Sequence, residues 1–476
     1  MNKKFFIFLF IITLFFTKMS PALGVDLNKR ISTVKQTQRL HLSIYAEGLA
    51  LVTEVRNFEL PEGKFYVHYK DVAAFIEPDS VQILPLDVLS QVKIIEQNFR
   101  YDPINSRTLL KKVTGKSVIL LEEGETKPEE NFKEAKLISN NAPYVFQIGD
   151  EIHLGHPGRI VLPKMPENIF PYPTIIWLLE SPKRQDVPFK VSYITKGITW
   201  WTGYNITFFE DGKRALINAW INVKNESGVS YPRTGLSFVS GEINKSIENL
   251  INRQEKPLRE GMVDAIMPFI GKNMGEYQVY DLNWNTGLYD GEIKQISLFA
   301  KQNIPYKKKY IFKGRESFPW FRYNKGLKPK VKLFLLIENT PDLNSNLPLP
   351  DGRVWVYRQR EDGEITLCGK DRVSITPVKQ FQQIQIGTVS DIEGEHTQID
   401  FKVPSRDVYE ETFLINLKNY KDSEAQIEVI ETLEGDWEIL KNSHPFVKKD
   451  GSRIAFDVTL GPGAIKAITY TVKTKK

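Results

Sequence analysis

The stretch Ser192–Phe209, SYITKGITWWTGYNITFF, sets two tryptophans side by side in a run that also carries Tyr193, Tyr204, Phe208 and Phe209. β-Branched and aromatic residues alternate there with threonine, glycine and asparagine, the two-residue period of a strand with one face buried. From Ile194 onward the even positions are Ile194, Lys196, Ile198, Trp200, Thr202, Tyr204, Ile206 and Phe208, a mostly apolar set. The odd positions, Thr195, Gly197, Thr199, Trp201, Gly203, Asn205, Thr207 and Phe209, are mostly polar or glycine. Unless a bulge at Gly197 or Gly203 resets the register, Trp200 belongs to a core and Trp201 faces away from it. Trp201 is therefore the candidate for a ligand-binding or interface residue, because an outward tryptophan serves either purpose.

The same grammar extends in both directions. Leu42–Val72 reads as three strands with turns at Glu47-Gly48 and Pro61-Glu62-Gly63, and Gly115–Pro163 offers about five short strands, the spacing of a small SH3-like barrel over residues 107–163. The proline-rich Pro163–Pro173 and the charged Glu180–Pro188 bracket the strand TIIWLLE, which places a domain boundary in the 180s. Beyond it, strands run to about Asn244, and Lys245–Gly275 breaks the alternation as a short, flexible or partly helical linker. Strands resume at Glu276, and from Tyr409 onward the turn signals fall at the intervals of an immunoglobulin-like sandwich, with Pro462-Gly463 as the tightest turn. The expected fold is all-β, with tandem domains: a β domain at residues 25–185 and a sandwich region at 186–476. No short fixed-period repeat is visible, which argues against a propeller or solenoid.

The first residues have the form of an export signal: Lys3 and Lys4, the apolar run Phe5–Phe16, then Ala22-Leu23-Gly24. Cleavage after Gly24 is expected, giving a protein of the periplasm or cell exterior with no membrane span; retention of the run as an anchor is the alternative. The chain of 476 residues carries 64 basic and 58 acidic side chains, and loss of Lys3, Lys4 and Lys18 brings it close to neutral. That balance, with export, argues against a nucleic-acid partner. The most basic stretch, Pro305–Arg315, reads as a strand edge guarded by lysines. Cys368 is the sole cysteine, so stability rests on burial and not on an internal disulfide.

No catalytic template is satisfied. GLSFVSG at Gly235–Gly241 lacks the second glycine of a nucleophile elbow at the required place, and Ser237 and Ser240 read as strand residues. Cys368 reads as a small buried or edge thiol. His153 and His156 are the one close histidine pair; Gly155, Pro157 and Gly158 argue against the helix that would aim both at one metal, and a strand sends the rings to opposite faces unless the turn brings them back. The Asp342 loop begins like a calcium site and then places Leu347 and Arg353 where glycine and glutamate are needed. The triplets Glu210-Asp211-Gly212 and Glu361-Asp362-Gly363 are explained as hairpin turns. No catalytic, metal or cofactor-binding residue is assigned, and no cofactor is expected.

Nine segments in order resemble the bacterial envelope family known as domain of unknown function 4139, some members of which are called mucoidy-inhibitor-like. They are YAEGLALVTEVR from Tyr45, VKIIEQNFRYD from Val92, PGRIVLPKMPE from Pro157, PTIIWLLES from Pro173, SYITKGITWWTGY from Ser192, WINVKNESG from Trp220, KQISLF from Lys294, LPLPDGRVWVY from Leu347 and GDWEILKNSHPF from Gly435. The resemblance implies an exported β-rich protein and carries over no catalytic residues. Related sequences tend to read Ser-Trp-Arg-x-x-Tyr at this stretch, so Trp200 and Tyr204 match while Trp201 stands where a basic residue is more usual. Members with a long coiled coil exist, and this chain has only the linker at Lys245–Gly275 in its place. The leading expectation is a non-enzymatic binding, adhesion or scaffold module acting on a protein or polysaccharide of the envelope. The alternative is a hydrolase, carbohydrate-active or other, with acids on sandwich loops.

Overall fold

The computed structural model describes residues 28–121, 132–155, 158–209, 214–241, 269–274, 277–314 and 326–475. They form an all-β protein of several sheets and sandwich layers, with one short α-helix, Ser106–Val113. No helix among them is long and apolar enough to cross a membrane. The export segment at residues 1–24, His156, Arg315 and the Glu210-Asp211-Gly212 turn lie outside the described residues. So do residues 242–268 of the linker region, whereas Phe269–Met274 is a strand paired with Tyr277–Leu282. The expectation of a partly helical segment through Gly275 is corrected there: cross-strand hydrogen bonds satisfy that backbone, and the absence of strict side-chain alternation did not prevent it.

The chain divides into two compact units. One comprises Met1–Thr37, Arg56–Val72 and Leu84–Phe189; the other comprises Gln38–Val55, Ala73–Ile83 and Lys190–Lys476. In the first, a four-stranded sheet has the order Lys29–Ser32, Gly63–Tyr69, Thr174–Ser181, Lys93–Arg100. Its core is aromatic: Phe58 stacks on Phe189 at 4.8 Å between centroids, and Tyr69 lies 5.2 Å from Trp177. The buried Trp177 keeps its indole N–H satisfied by donating to Gln97 Oε1 at 2.8 Å.

The five strands expected between Gly115 and Pro163 are present as one antiparallel sheet ordered Glu151–Leu154, Val145–Ile148, Phe132–Ser139, Ser117–Leu121, Arg159–Val161. Its two outermost strands do not pair, so the sheet stays open where an SH3-like barrel was expected. The helix supplies the physical reason: Leu110 and Val113 pack on Val118, Leu120, Leu137 and Phe146, covering the face that closure would have enclosed. Asn105 starts this helix, its side chain accepting from Thr108 N at 2.9 Å.

The second unit centres on Ile198–Phe209. This strand runs antiparallel to Arg214–Asn225 on one side and parallel to Gly352–Gln359 on the other. The sheet continues outward through Ile365–Val373 on the far side of Gly352–Gln359, and through the long strand Ile293–Lys313 beyond Arg214–Asn225. Lys307, Lys308 and Lys309 pair on one side only, with Val331–Glu338, whereas Tyr310 and Ile311 are paired on both sides, with Val331–Glu338 and Ala425–Thr432. Tyr306, Tyr310, Ile311 and Phe312 are buried and draw the segment into the sheet while the lysines reach outward. The Glu361-Asp362-Gly363 and Pro462-Gly463 turns connect strands as expected, with Gly363 at φ +88° and Gly463 at φ +65°.

The C-terminal sandwich lays the sheet Ile392–Ser405, Val408–Asn419, Ile465–Lys475, Asp436–Asn442 on the continuation of the large sheet. Between them lie Phe312, Val429, Phe456, Ile415, Leu417 and Tyr470. On this sandwich Glu428 is 6 % exposed and lies 2.9 Å from Lys309 Nζ and 2.6 Å from Lys449 Nζ. Burial alone would raise its pKa, but hydrogen bonds from Lys449 and Lys309 outweigh that and hold it below the ordinary value. A depressed carboxyl contributes stability above the unfolded-state pKa and loses it as pH falls through the folded one. Thermal midpoints of the wild type are thus expected to fall on acidification below about pH 4.5, and those of Glu428→Gln to fall less. Parallel curves for the two proteins would contradict the assignment.

Candidate functional site

The opening stretch folds as two strands. Gln185–Lys196 ends and Ile198–Phe209 begins at Gly197, whose φ of +88° reverses the register. Before that corner Tyr193 and Thr195 are buried; after it Ile198, Trp200, Thr202, Tyr204, Ile206 and Phe208 are. Trp200 packs against Phe238 and Tyr280, at 5.5 and 6.3 Å between ring centroids, and donates its indole N–H to Val239 O at 3.3 Å. Tyr204 donates to Pro350 O at 2.7 Å and Tyr280 to Pro348 O at 3.0 Å. These bonds tie the proline-rich connection after Asp342 to the core.

Trp201 lies on the opposite face and is partly exposed. Residues directly opposite one another in paired strands share a face, so the register reveals Trp201's neighbours. Trp201 opposes Asn222, Gly203 opposes Trp220, Asn205 opposes Asn218, and Thr207 opposes Leu216. On the other flank Gly203 opposes Arg353, Asn205 opposes Trp355, and Thr207 opposes Tyr357. One strand further, Trp355 faces Lys370 and Arg353 faces Arg372. Gln295, from the long strand, donates to Asn222 Oδ1 at 2.7 Å, and Asn222 donates to the carbonyls of Trp201 and Trp220.

The outer face of this sheet thus carries three indoles and a phenol set among neutral amides, with cations along one side. Trp355 is 42 % exposed. Gly203, without a side chain, leaves the centre of the face low between Trp220 and Arg353. From strand and residue spacings the three indole positions are about 8 to 14 Å apart.

Trp220 and Trp355 were not singled out from the sequence, although alternation in RALINAWINVKN and GRVWVYRQ puts each on the more exposed face of its strand. What was missing was the pairing, since Gly352–Gln359 comes from far along the chain.

Other polar groups were brought together by folding. His41 and His396, isolated in sequence, both acquire partners. Ser237 Oγ donates to Asp281 Oδ1 at 2.5 Å, and His41 Nε2 lies 2.8 Å from the same Oγ. A serine nucleophile needs its proton taken by a histidine that the carboxylate orients. Here His41 Nε2 and the Asp281 carboxylate both meet the Ser237 hydroxyl. Ser237 and Ser240 lie in strand Tyr231–Ser240, as expected from the sequence.

His396 Nε2 and the Tyr470 hydroxyl both meet Glu431 Oε2, at 3.0 and 2.7 Å, inside the C-terminal sandwich. A Cβ at Gly314 would run into the Glu431 carboxylate and the His396 ring, so glycine is required for this approach. His153 lies 3.3 Å from Glu151, and no group of three or more His, Cys, Asp or Glu side chains converges among the described residues. Burial pushes the Cys368 thiol above its ordinary pKa, which disfavours the thiolate a nucleophile needs.

Fold and site together define an all-β, multi-domain sandwich protein with an aromatic and amide face on its central sheet. No family model matches the chain, and no curated protein matches it in sequence.

Proposed function

We propose that this is an exported protein of the bacterial cell envelope, related to the family its nine segments resemble, which binds a polysaccharide without cleaving it. The observation that carries the reading is the outer face formed by Trp201, Trp220 and Trp355 with Asn205 and Asn218. A sugar ring presents C–H groups on its faces and hydroxyls on its rim. Indole faces, negative at the centre, attract the first. Side-chain amides both donate and accept, as hydroxyls do. Arg353, Lys370 and Arg372 on adjacent strands favour a polymer carrying carboxylates.

Affinity electrophoresis of the chain in neutral and uronate-bearing envelope polysaccharides tests this. Retardation is expected, stronger in the acidic polymer. Trp201→Ala, Trp220→Ala and Trp355→Ala are each expected to weaken binding about three- to tenfold with the fold intact. Unchanged mobility of all three variants, or release of reducing ends that saturates with polymer concentration, would reject the reading; the latter would favour the hydrolase.

A further inference from the structure

The first unit carries a second, independent surface. The segment Leu84–Ser90, LPLDVLS, exposes Leu84 and Leu86 by half and Val88 and Leu89 by 89 and 84 %. Side chains that open to solvent have almost nothing packed around them, so they project as a convex aliphatic tip.

The tip is built and not loose. Val88–Ser90 is a single 3-10 turn whose cap, Asp87, accepts from Leu89 N at 2.9 Å. Gln185 Nε2 donates to Ser90 O at 2.9 Å and to Ser181 Oγ, and Leu86 N donates to Pro188 O at 2.9 Å. The same bonds bring the exposed turn Pro182–Arg184 beside the tip, because Ser181 Oγ donates to Lys183 O at 2.7 Å. Lys93 is there as well, opposite Glu180 at the start of the edge strand Lys93–Arg100. Lys93, Lys183 and Arg184 are exposed on the elements beside the aliphatic tip, as are two acids, Asp186 and Asp87, the latter also capping the turn.

We propose that this tip docks the protein on a bilayer surface containing anionic lipid, Val88 and Leu89 entering between headgroups while Lys93, Lys183 and Arg184 meet lipid phosphates. A rigid convex aliphatic point suits a fluid interface, which closes around it, whereas a protein partner needs a preformed groove of matching shape. Three exposed cations against two exposed acids leave this surface net positive, the complement of anionic headgroups.

The test is co-sedimentation of the chain from Val25 to Lys476 with vesicles of phosphatidylcholine alone or mixed with phosphatidylglycerol. Binding is expected to the mixed vesicles, to weaken as salt rises, and to fall at least about tenfold for Val88→Asp/Leu89→Asp. Lys183→Glu/Arg184→Glu is expected to lose the preference for phosphatidylglycerol. Both variants change exposed side chains, and far-UV circular dichroism matching wild type confirms folding. No pelleting of wild type, or equal pelleting of the aspartate variant, overturns the proposal. So does light scattering that finds a wild-type dimer and a variant monomer, which would make the tip a contact between copies.

Discussion

Trp200→Ala is expected to lower the unfolding free energy by about 3 to 5 kcal/mol, the cost of deleting a large core aromatic and leaving a cavity. Trp200 is 6 % exposed, packs against Phe238 and Tyr280, and donates to Val239 O. Alanine removes the ring contacts and leaves that carbonyl without this donor. Trp201→Ala at the adjacent position, on the partly exposed face, is expected to cost less than half as much. Urea titration of both variants reads the contrast directly. Equal, large losses would mean that Trp201 is a packing residue, and the ligand face would lose one of its three indoles.

The second large effect concerns the buried polar group of the C-terminal sandwich. Glu431 is 1 % exposed, accepts from Tyr470 and faces His396, while its Oε1 has no partner among the described residues. Removing one member of a buried, hydrogen-bonded set strands the others, so Glu431→Ala is expected to cost about 3 to 5 kcal/mol. Replacing all three with apolar residues of similar volume, His396→Leu, Glu431→Leu and Tyr470→Phe, is expected to cost much less, because no polar atom is then left buried alone. Denaturant midpoints for the single and triple variants decide the matter. A single variant within about 1 kcal/mol of wild type would show that solvent reaches the group.

How far these features could be read beforehand follows from their range in sequence. The period of Ile198–Phe209 is a property of adjacent residues, and it divided Trp200 from Trp201 correctly once Gly197 had turned the chain. Hairpin turns such as Glu361-Asp362-Gly363 were legible because the residues that tolerate the backbone geometry are the ones that make it. The lysine-rich segment after Pro305 changes character within a few residues, Lys307–Lys309 pairing on one side and Tyr310 and Ile311 on both, a difference that local pattern does not carry. The sheet at Ser117–Val161 was misread as a barrel because a short helix, Ser106–Val113, caps it instead of closure.

Two kinds of information therefore separate in this protein. Local covalent geometry was enough to specify most strands and turns and the buried side of Ile198–Phe209, since alternation is imposed residue by residue. Which strands meet was left to the tertiary structure, because burial of apolar faces is non-directional and says nothing about partners. Trp201, Trp220 and Trp355 become one surface only when Gly352–Gln359 adds in parallel beside Ile198–Phe209. In the same way, His396, Glu431 and Tyr470 become one group only when two sheets close over them.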